Sequence, residues 1–205
     1  MKFSVLLLSL FLVGNLYFAQ AQSDATKEPK AGLIVTINGK KHTISEGETI
    51  KQNGTTVSVK IADSRTFNNG TISFSYPSNL GFEYEEDFGY KNWMFDGNNF
   101  VIMFFEIMQG SSFDSFVNEI AGRYGRENCK IEKTSMSLGG RELYGKRINV
   151  NLMGEKLTQD FLEIPMKDGK TRILAFQDSP NEYGNSSDEA KKTIKMVRET
   201  ITYKK

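Results

Sequence analysis

The chain has 205 residues, 39% of them hydrophobic, with 26 lysines and arginines against 25 aspartates and glutamates. A chain of this size buries enough apolar surface for one stable domain, and its near-neutral charge gives no general attraction to nucleic acid or to anionic lipid. Cys129 is the only cysteine, so an intramolecular disulfide is excluded.

Residues 1–21 have the features of a cleavable secretory signal peptide. Lys2 provides a positive start, Phe3–Val13 is an almost continuous apolar run, and Ala19-Gln20-Ala21 places small residues where signal peptidase requires them. The run is shorter than the ~20 apolar residues that span a bilayer, and no cysteine for lipid attachment lies near the cleavage site. We expect cleavage before Gln22 and a periplasmic or extracellular product that is soluble, without stable membrane insertion; a retained N-terminal anchor is the alternative.

The next two segments differ in character. Residues 22–32 are polar and lack hydrophobic periodicity, which is typical of a disordered leader. Residues 33–66 have the pattern of a small N-terminal β-meander appended to the rest of the chain. In this segment Asn38-Gly39 and Asn53-Gly54 favour tight hairpin turns, because both positions tolerate positive φ. We expect residues 67–205 to form the main domain.

Extended, aromatic-rich segments open this main domain. Residues 71–76, 82–87 and 90–95 place large apolar side chains between turn signals, as strands do. The segment Phe100–Met108 is almost continuously apolar, which is typical of a central strand covered on both faces. The pattern therefore favours a layered fold over an open sheet.

Two segments have helical periodicity. The first, Phe113–Tyr124, follows a candidate cap at Ser111 or Ser112 and places its apolar residues on one face. The second follows Ser186-x-x-Glu189, which has the spacing of a capping box.

Four strand candidates, joined by tight turns, lie between these helices: residues 129–135, 142–152, 157–166 and 171–177. Strands, a helix, an antiparallel meander and a terminal helix follow one another along the chain. This order predicts an α+β fold, in which both helices pack on an antiparallel β-sheet.

Three segments resemble the PsbP-like superfamily: ISFSYPSNLGF at residues 72–82, the helix opening SSFDSFVNEI, and SLGGRELYGKRINV at residues 137–150. The resemblance spans roughly residues 71–205. Its members include the photosystem II extrinsic subunit, the Ran-binding nuclear import factor and many exported bacterial proteins. The resemblance implies an α/β/α sandwich without a common catalytic centre, whose members act by binding. No functional residue of the family maps onto this chain.

The sequence contains none of the common catalytic or phosphate-binding motifs. His42, the only histidine, follows a hairpin turn, and an exposed strand position explains it better than a catalytic triad does. Cys129 alternates with Ile131, which favours an inert core thiol over a nucleophile. A single histidine and a single cysteine do not build an ordinary zinc site. We therefore predict no enzyme activity, no metal and no cofactor.

A cluster of acidic and aromatic residues between positions 82 and 95 is the candidate binding site. Tyrosine and tryptophan suit protein contacts, and the carboxylates lack the spacing of a calcium loop, so they are interpreted as a solvated edge. The alternative is that the aromatic residues belong to the core. The candidate residues are Tyr84, Tyr90 and Trp93, flanked by Glu83, Glu85 and Glu86.

Three asparagines, Asn53, Asn69 and Asn185, begin glycan acceptor patterns. Each also stands where a turn or a helix cap favours asparagine or serine, and the turn interpretation is preferred.

Taken together, these features favour a non-catalytic exported protein that binds another envelope or secreted protein. The alternative is a carrier of a small molecule or lipid, with an apolar pocket between the sheet and the helix Phe113–Tyr124. A hydrolase that uses His42 is a third hypothesis. The sequence leaves open the host, the partner or ligand and the oligomeric state.

Overall fold

A computed structural model describes residues 25–29, 31–45, 57–108 and 112–204. More than half of these residues lie in strands. The predicted signal peptide and the predicted Asn53-Gly54 turn lie outside the described residues. In chain order the elements are β1 (Gly32–Ile37), β2 (Lys40–Ser45), β3 (Val57–Ile61), β4 (Ser64–Asn68), β5 (Ile72–Pro77), β6 (Gly81–Asp87), β7 (Tyr90–Asp96), β8 (Phe100–Ile107), α1 (Phe113–Arg123), a 3-10 turn (Arg126–Asn128), β9 (Cys129–Leu138), β10 (Arg141–Leu152), β11 (Glu155–Glu163), β12 (Thr171–Asp178), α2 (Asp188–Thr200) and β13 (Thr202–Tyr203).

The strands form three antiparallel sheets in the described part of the chain. The main sheet has seven strands in the order β6-β7-β8-β12-β11-β10-β9, a second sheet has the order β13-β5-β4, and the N-terminal sheet has the order β2-β1-β3. Asn38 and Gly39 join β1 to β2 at φ 49° and 78°, so the predicted hairpin turn is confirmed. The predicted meander is wrong, because β3 pairs with β1 and not with β2.

One face of the main sheet is covered by the second sheet together with α2. The ring centroids of Phe67 in β4 and Phe74 in β5 lie 5.1 and 5.4 Å from the ring centroid of Phe95 in β7. Helix α2 adds Ala190 and Val197 to the same buried cluster. The predicted α+β class, an α/β/α sandwich with helices packed on the sheet, is wrong. The protein is mostly β, because more than half of the described residues lie in strands and only two α-helices accompany them. Residues 72–76 do not join the main sheet but form a second β-layer over it.

The opposite face of the main sheet carries α1. The side chain of Ser112 caps the helix by accepting a hydrogen bond from the backbone N–H of Ser115. Val117 and Ala121 are buried against Ile148 and Phe161 of the sheet. Seven strands span about 29 Å, whereas one helix is only about 10 Å wide. The sheet is therefore wider than α1, and the helix leaves part of this face open.

The second helix begins one residue later than the sequence indicates. Ser187, not Ser186, caps α2 and accepts a hydrogen bond from the backbone N–H of Ala190. Glu189 does not close a capping box, since its carboxylate accepts from the backbone N–H of Asn99 at 2.7 Å. Neither α-helix, nor any other described helix, combines the length and the apolar character needed to cross a bilayer.

The described residues of the predicted leader contact the main body. Trp93 donates a hydrogen bond from its indole nitrogen to the carbonyl oxygen of Ala25 at 2.6 Å, and Glu28 forms an ion pair with Arg65 of β4. Strand β4 also continues across position 66, where the sequence placed the start of the main domain. The division into leader, appendage and main domain stays a prediction.

Candidate functional site

The open part of the main sheet and the adjoining flank of α1 enclose a groove of about 610 Å³, which we call the α1 groove. Its floor is formed by side chains of β7, β8, β11 and β12, and the hairpin that joins β6 to β7 closes one end. The helix lines it with Ser115, Phe116, Glu119, Ile120 and Tyr124. These residues share one flank because positions three or four apart along a helix lie on the same side.

Apolar side chains of three elements meet in the groove. Met103 and Phe105 of β8 form its centre with Phe161 of β11, and the ring of Phe116 lies 4.9 Å from that of Phe105 and 6.0 Å from that of Phe161. The side chain of Ile120, one helical turn further along α1, extends the same surface. An apolar molecule placed here is removed from water without displacing any side chain of the core.

A cluster of three neutral polar side chains interrupts this apolar surface. The side-chain nitrogen of Gln159 donates to the phenol oxygen of Tyr124 at 3.1 Å and to the side-chain oxygen of Gln177 at 2.6 Å. Gln159 is only 3% exposed, and burial raises the pKa of Tyr124, so the phenol stays neutral at physiological pH. We call these three residues the amide cluster.

Two buried oxygens of the groove residues have no hydrogen-bond partner in the described part of the chain. They are the side-chain carbonyl oxygens of Gln159 and Asn92. An unpaired buried acceptor is costly, and a bound molecule that donates an N–H or O–H would satisfy it. The Gln159 oxygen can accept such a bond while the side-chain nitrogen keeps its bonds to Tyr124 and Gln177.

The charged residues of the groove are all at its exposed edge. Glu119 and Arg123 of α1 pair with each other at 2.8 Å, and Glu85 of β6 is exposed beside Tyr90. A hydrogen bond to Glu85 raises the pKa of the Tyr90 phenol. Phe88 at the hairpin tip is fully exposed.

The structure separates the sequence-predicted site residues between the two faces of the main sheet. Glu85 and Tyr90 line the α1 groove, and Glu83 shares the face of Glu85 by strand alternation. Tyr84 and Trp93 instead pack with the buried cluster on the other face, and Glu86 lies beside Tyr84. The six residues therefore do not form one surface patch.

Trp93 belongs to the core, as the alternative interpretation of the aromatic residues predicted. It is 5% exposed, and its ring lies 5.5 Å from that of Phe104 and 5.3 Å from that of Tyr84. Burial, with a hydrogen bond to Glu86, raises the pKa of Tyr84 to about 12. The bond from Tyr84 and the ion pair with Lys91 lower the pKa of Glu86. This arrangement ties the β6–β7 hairpin together.

The other described residues considered for catalysis, metal binding or glycosylation do not form a second site. His42 is exposed on β2, as predicted. Burial raises the pKa of the Cys129 thiol, which opposes a nucleophilic role. The side-chain oxygen of Asn69 accepts hydrogen bonds from the backbone N–H groups of Thr71 and Ile72, so this residue has a turn role. No group of three or more potential metal ligands occurs among the described residues.

The sequence interpretation missed the amide cluster and Asn92. A signal for them exists, because Gln159 stands between Leu157 and Phe161 at an alternate position that otherwise faces the core. A polar residue on the buried face of a strand has to be hydrogen-bonded or to bind something. Asn92 alternates with Tyr90 and Met94, which are only half-buried, so the signal at this position is weaker.

No family model and no curated protein matches the chain. Among solved structures, the chain is similar to LpqN, a protein involved in cell envelope biogenesis of Mycobacterium tuberculosis. The two share 14% sequence identity, the match covers 69% of this chain and 91% of LpqN, and the TM-score is 0.38. A TM-score this low does not establish a common fold, and the resemblance to the PsbP-like superfamily is not confirmed.

Proposed function

We propose that this chain is a non-catalytic binding protein that holds a small amphipathic molecule in the α1 groove. The observation that carries the proposal is the combination of an apolar floor with unpaired amide oxygens in one cavity. Its volume of about 610 Å³ lies within the range of small-molecule sites, about 300–1,000 Å³. Such sites are mostly apolar and contain a few polar groups that fix the orientation of the ligand.

The polar groups of the groove also favour binding over catalysis. The polar groups deep in the groove, Gln159 and Gln177, are neutral amides that neither activate a nucleophile nor transfer a proton at ordinary pH. The one titratable group of the amide cluster, Tyr124, has its pKa raised by burial. The pair of Glu119 and Arg123 lies at the edge, where both charges are exposed and compensate each other.

Fluorescence titration with N-phenyl-1-naphthylamine, a neutral apolar dye that emits strongly only out of water, tests the proposal. We expect saturable enhancement for the wild-type chain. Ser115→Trp places a large side chain in the groove from an exposed helix position and is expected to weaken binding at least tenfold. Asn118→Trp, on α1 but outside the groove, is the matched control and is expected to bind as the wild type does. Equal binding by both variants would contradict the proposal.

A second candidate function is contact with another exported protein through the tip of the β6–β7 hairpin. Phe88 is 104% exposed there, between Asp87 and Gly89, and Gly89 holds the turn at φ 100°. The Phe88 side chain, fully exposed on a short turn, is accessible to a partner without any rearrangement of the core. A photo-crosslinking amino acid at position 88 is expected to give one defined adduct in the native host, and the same amino acid at position 144 none. Equal labelling at both positions would contradict this candidate.

A further inference from the structure

The amide cluster has one unpaired hydrogen-bond acceptor next to groups that can donate. Both N–H groups of the Gln159 side chain are engaged, one with Tyr124 and one with Gln177, while its carbonyl oxygen has no partner. Its neighbours supply the opposite capacity, because an amide nitrogen and a phenol O–H can both donate. The cluster therefore offers an acceptor and donors side by side. A hydroxyl group or a primary or secondary amide satisfies both at once.

The charges around the cluster do not suit a carboxylate or a quaternary ammonium head group. The three members are neutral, and the charged residues that line the groove, Glu85, Glu119 and Arg123, are all exposed. Arg123 is already paired with Glu119. A carboxylate or a quaternary ammonium buried beside Gln159 would lose its hydration without gaining an opposite charge. Neither group could donate to the unpaired oxygen either.

The position of the cluster fixes which end of the ligand is polar. Gln159 on β11 and Asn92 on β7 lie three strand positions apart, about 14 Å across the sheet, and the apolar side chains of Met103, Phe105 and Phe161 line the groove with them. Asn92 is next to the exposed edge with Glu85, its direct cross-strand partner. Gln159 is the more deeply buried of the two. We therefore expect the end of the groove at Gln159 to select the polar head group of the ligand.

We propose that the ligand of the α1 groove is an uncharged amphiphile whose head group carries hydroxyl or amide hydrogen-bond donors, bound at Gln159, Gln177 and Tyr124, with its apolar chain on Met103 and Phe105. This inference rests on the proposed function and names the class of ligand. It also assigns to Gln159 a role in ligand recognition. The alternation of apolar residues along this strand would otherwise predict a core side chain at that position.

Displacement of bound N-phenyl-1-naphthylamine by three ligands with a common ten-carbon chain tests the inference on the wild-type protein. They are 1,2-decanediol, which donates two hydrogen bonds, 1,2-dimethoxydecane, which only accepts, and decanoate, which is charged. We expect the diol to bind at least tenfold more tightly than either of the others. A diether or a decanoate that binds as tightly as the diol would overturn the inference and leave the proposed function standing. Failure of all three to displace bound dye would overturn the inference alone, whereas a wild-type chain that does not bind the dye would overturn the proposed function and the inference with it.

Substitution of the two amides locates the head group. Gln159→Met keeps the length of the side chain without its polar atoms, and we expect it to reduce the affinity for the diol to that for the diether, while the diether still binds. Asn92→Met is the matched control at the other end and is expected to keep the tenfold preference. Loss of the preference in Asn92→Met alone would overturn the assignment to Gln159. The wild-type comparison decides the ligand class even if Gln159→Met does not fold.

Discussion

The side-chain amide of Gln159 donates a hydrogen bond to the phenol oxygen of Tyr124 at 3.1 Å. The two residues are 35 positions apart, one on the seven-stranded sheet and the other at the C-terminal end of α1. This bond joins the helix to the sheet at the point where the α1 groove begins, and it gives the amide cluster its orientation.

Removal of the Tyr124 hydroxyl should destabilise the protein measurably. In Tyr124→Phe one N–H of the buried Gln159 amide loses its acceptor, and an unpaired buried donor costs ~1–3 kcal/mol. We expect the free energy of unfolding in urea to fall by that amount. Tyr144→Phe is the matched control, because Tyr144 is 71% exposed, and it should leave the free energy of unfolding unchanged. Equal stability of the two variants would contradict the bond.

Acid should destabilise the protein through Asp168. This carboxylate accepts two hydrogen bonds from the buried Arg172 guanidinium, both at 2.7 Å, which lowers its pKa from 3.8 to about 2. Because the folded pKa is depressed, the stabilisation is complete above 3.8 and is lost as the pH falls through about 2.

We therefore expect the free energy of unfolding of the wild-type chain to fall more steeply between pH 4 and pH 2 than that of Asp168→Asn. A carbon-detected NMR titration of the Asp168 carboxyl group measures the pKa directly. Titration at the ordinary aspartate value would show that the pair with Arg172 does not form.

The N-terminal segment should protect the single tryptophan. Trp93 donates to the carbonyl oxygen of Ala25, and Ala25 packs against the same cluster. A chain that begins at residue 31 lacks this cover, so we expect its fluorescence to shift to longer wavelength and to be quenched more strongly by acrylamide than that of a chain that begins at residue 22. Identical spectra and quenching would support the disordered leader that the sequence predicts.

Local patterns predicted the individual elements well. The apolar run at Phe100–Met108 indicated a central strand, which is confirmed as β8. The predicted cover is complete only on the face toward the second sheet, because Val101 and Met103 on the α1 face are half-buried. The spacing of Val117 and Ala121 indicated the buried stripe of α1, which is confirmed. Pairing between distant strands was not predictable from these patterns. Nothing local in residues 72–76 distinguishes a strand of the main sheet from one that pairs with β4 and β13 over it.

The candidate site was predicted only in part for the same reason. Tyr90 and Glu85 line the α1 groove. The density of aromatic residues in the sequence did not indicate on which face of the sheet each aromatic side chain lies. Trp93 therefore turned out to be a core residue. The groove exists because one helix is narrower than seven strands, and that mismatch depends on how many strands join one sheet, which local patterns do not reveal.

The methyl resonances of the methionines test the central claim most directly. In a sample labelled with carbon-13 at these methyl groups, 1,2-decanediol should shift the Met103 signal and give nuclear Overhauser contacts between the decyl chain and that methyl group, because Met103 lies on the floor of the α1 groove. Met136 lines a different cavity, beside α2, and its signal should not move. A Met103 signal that stays unchanged at saturating diol, or contacts to Met136 instead, would contradict the account.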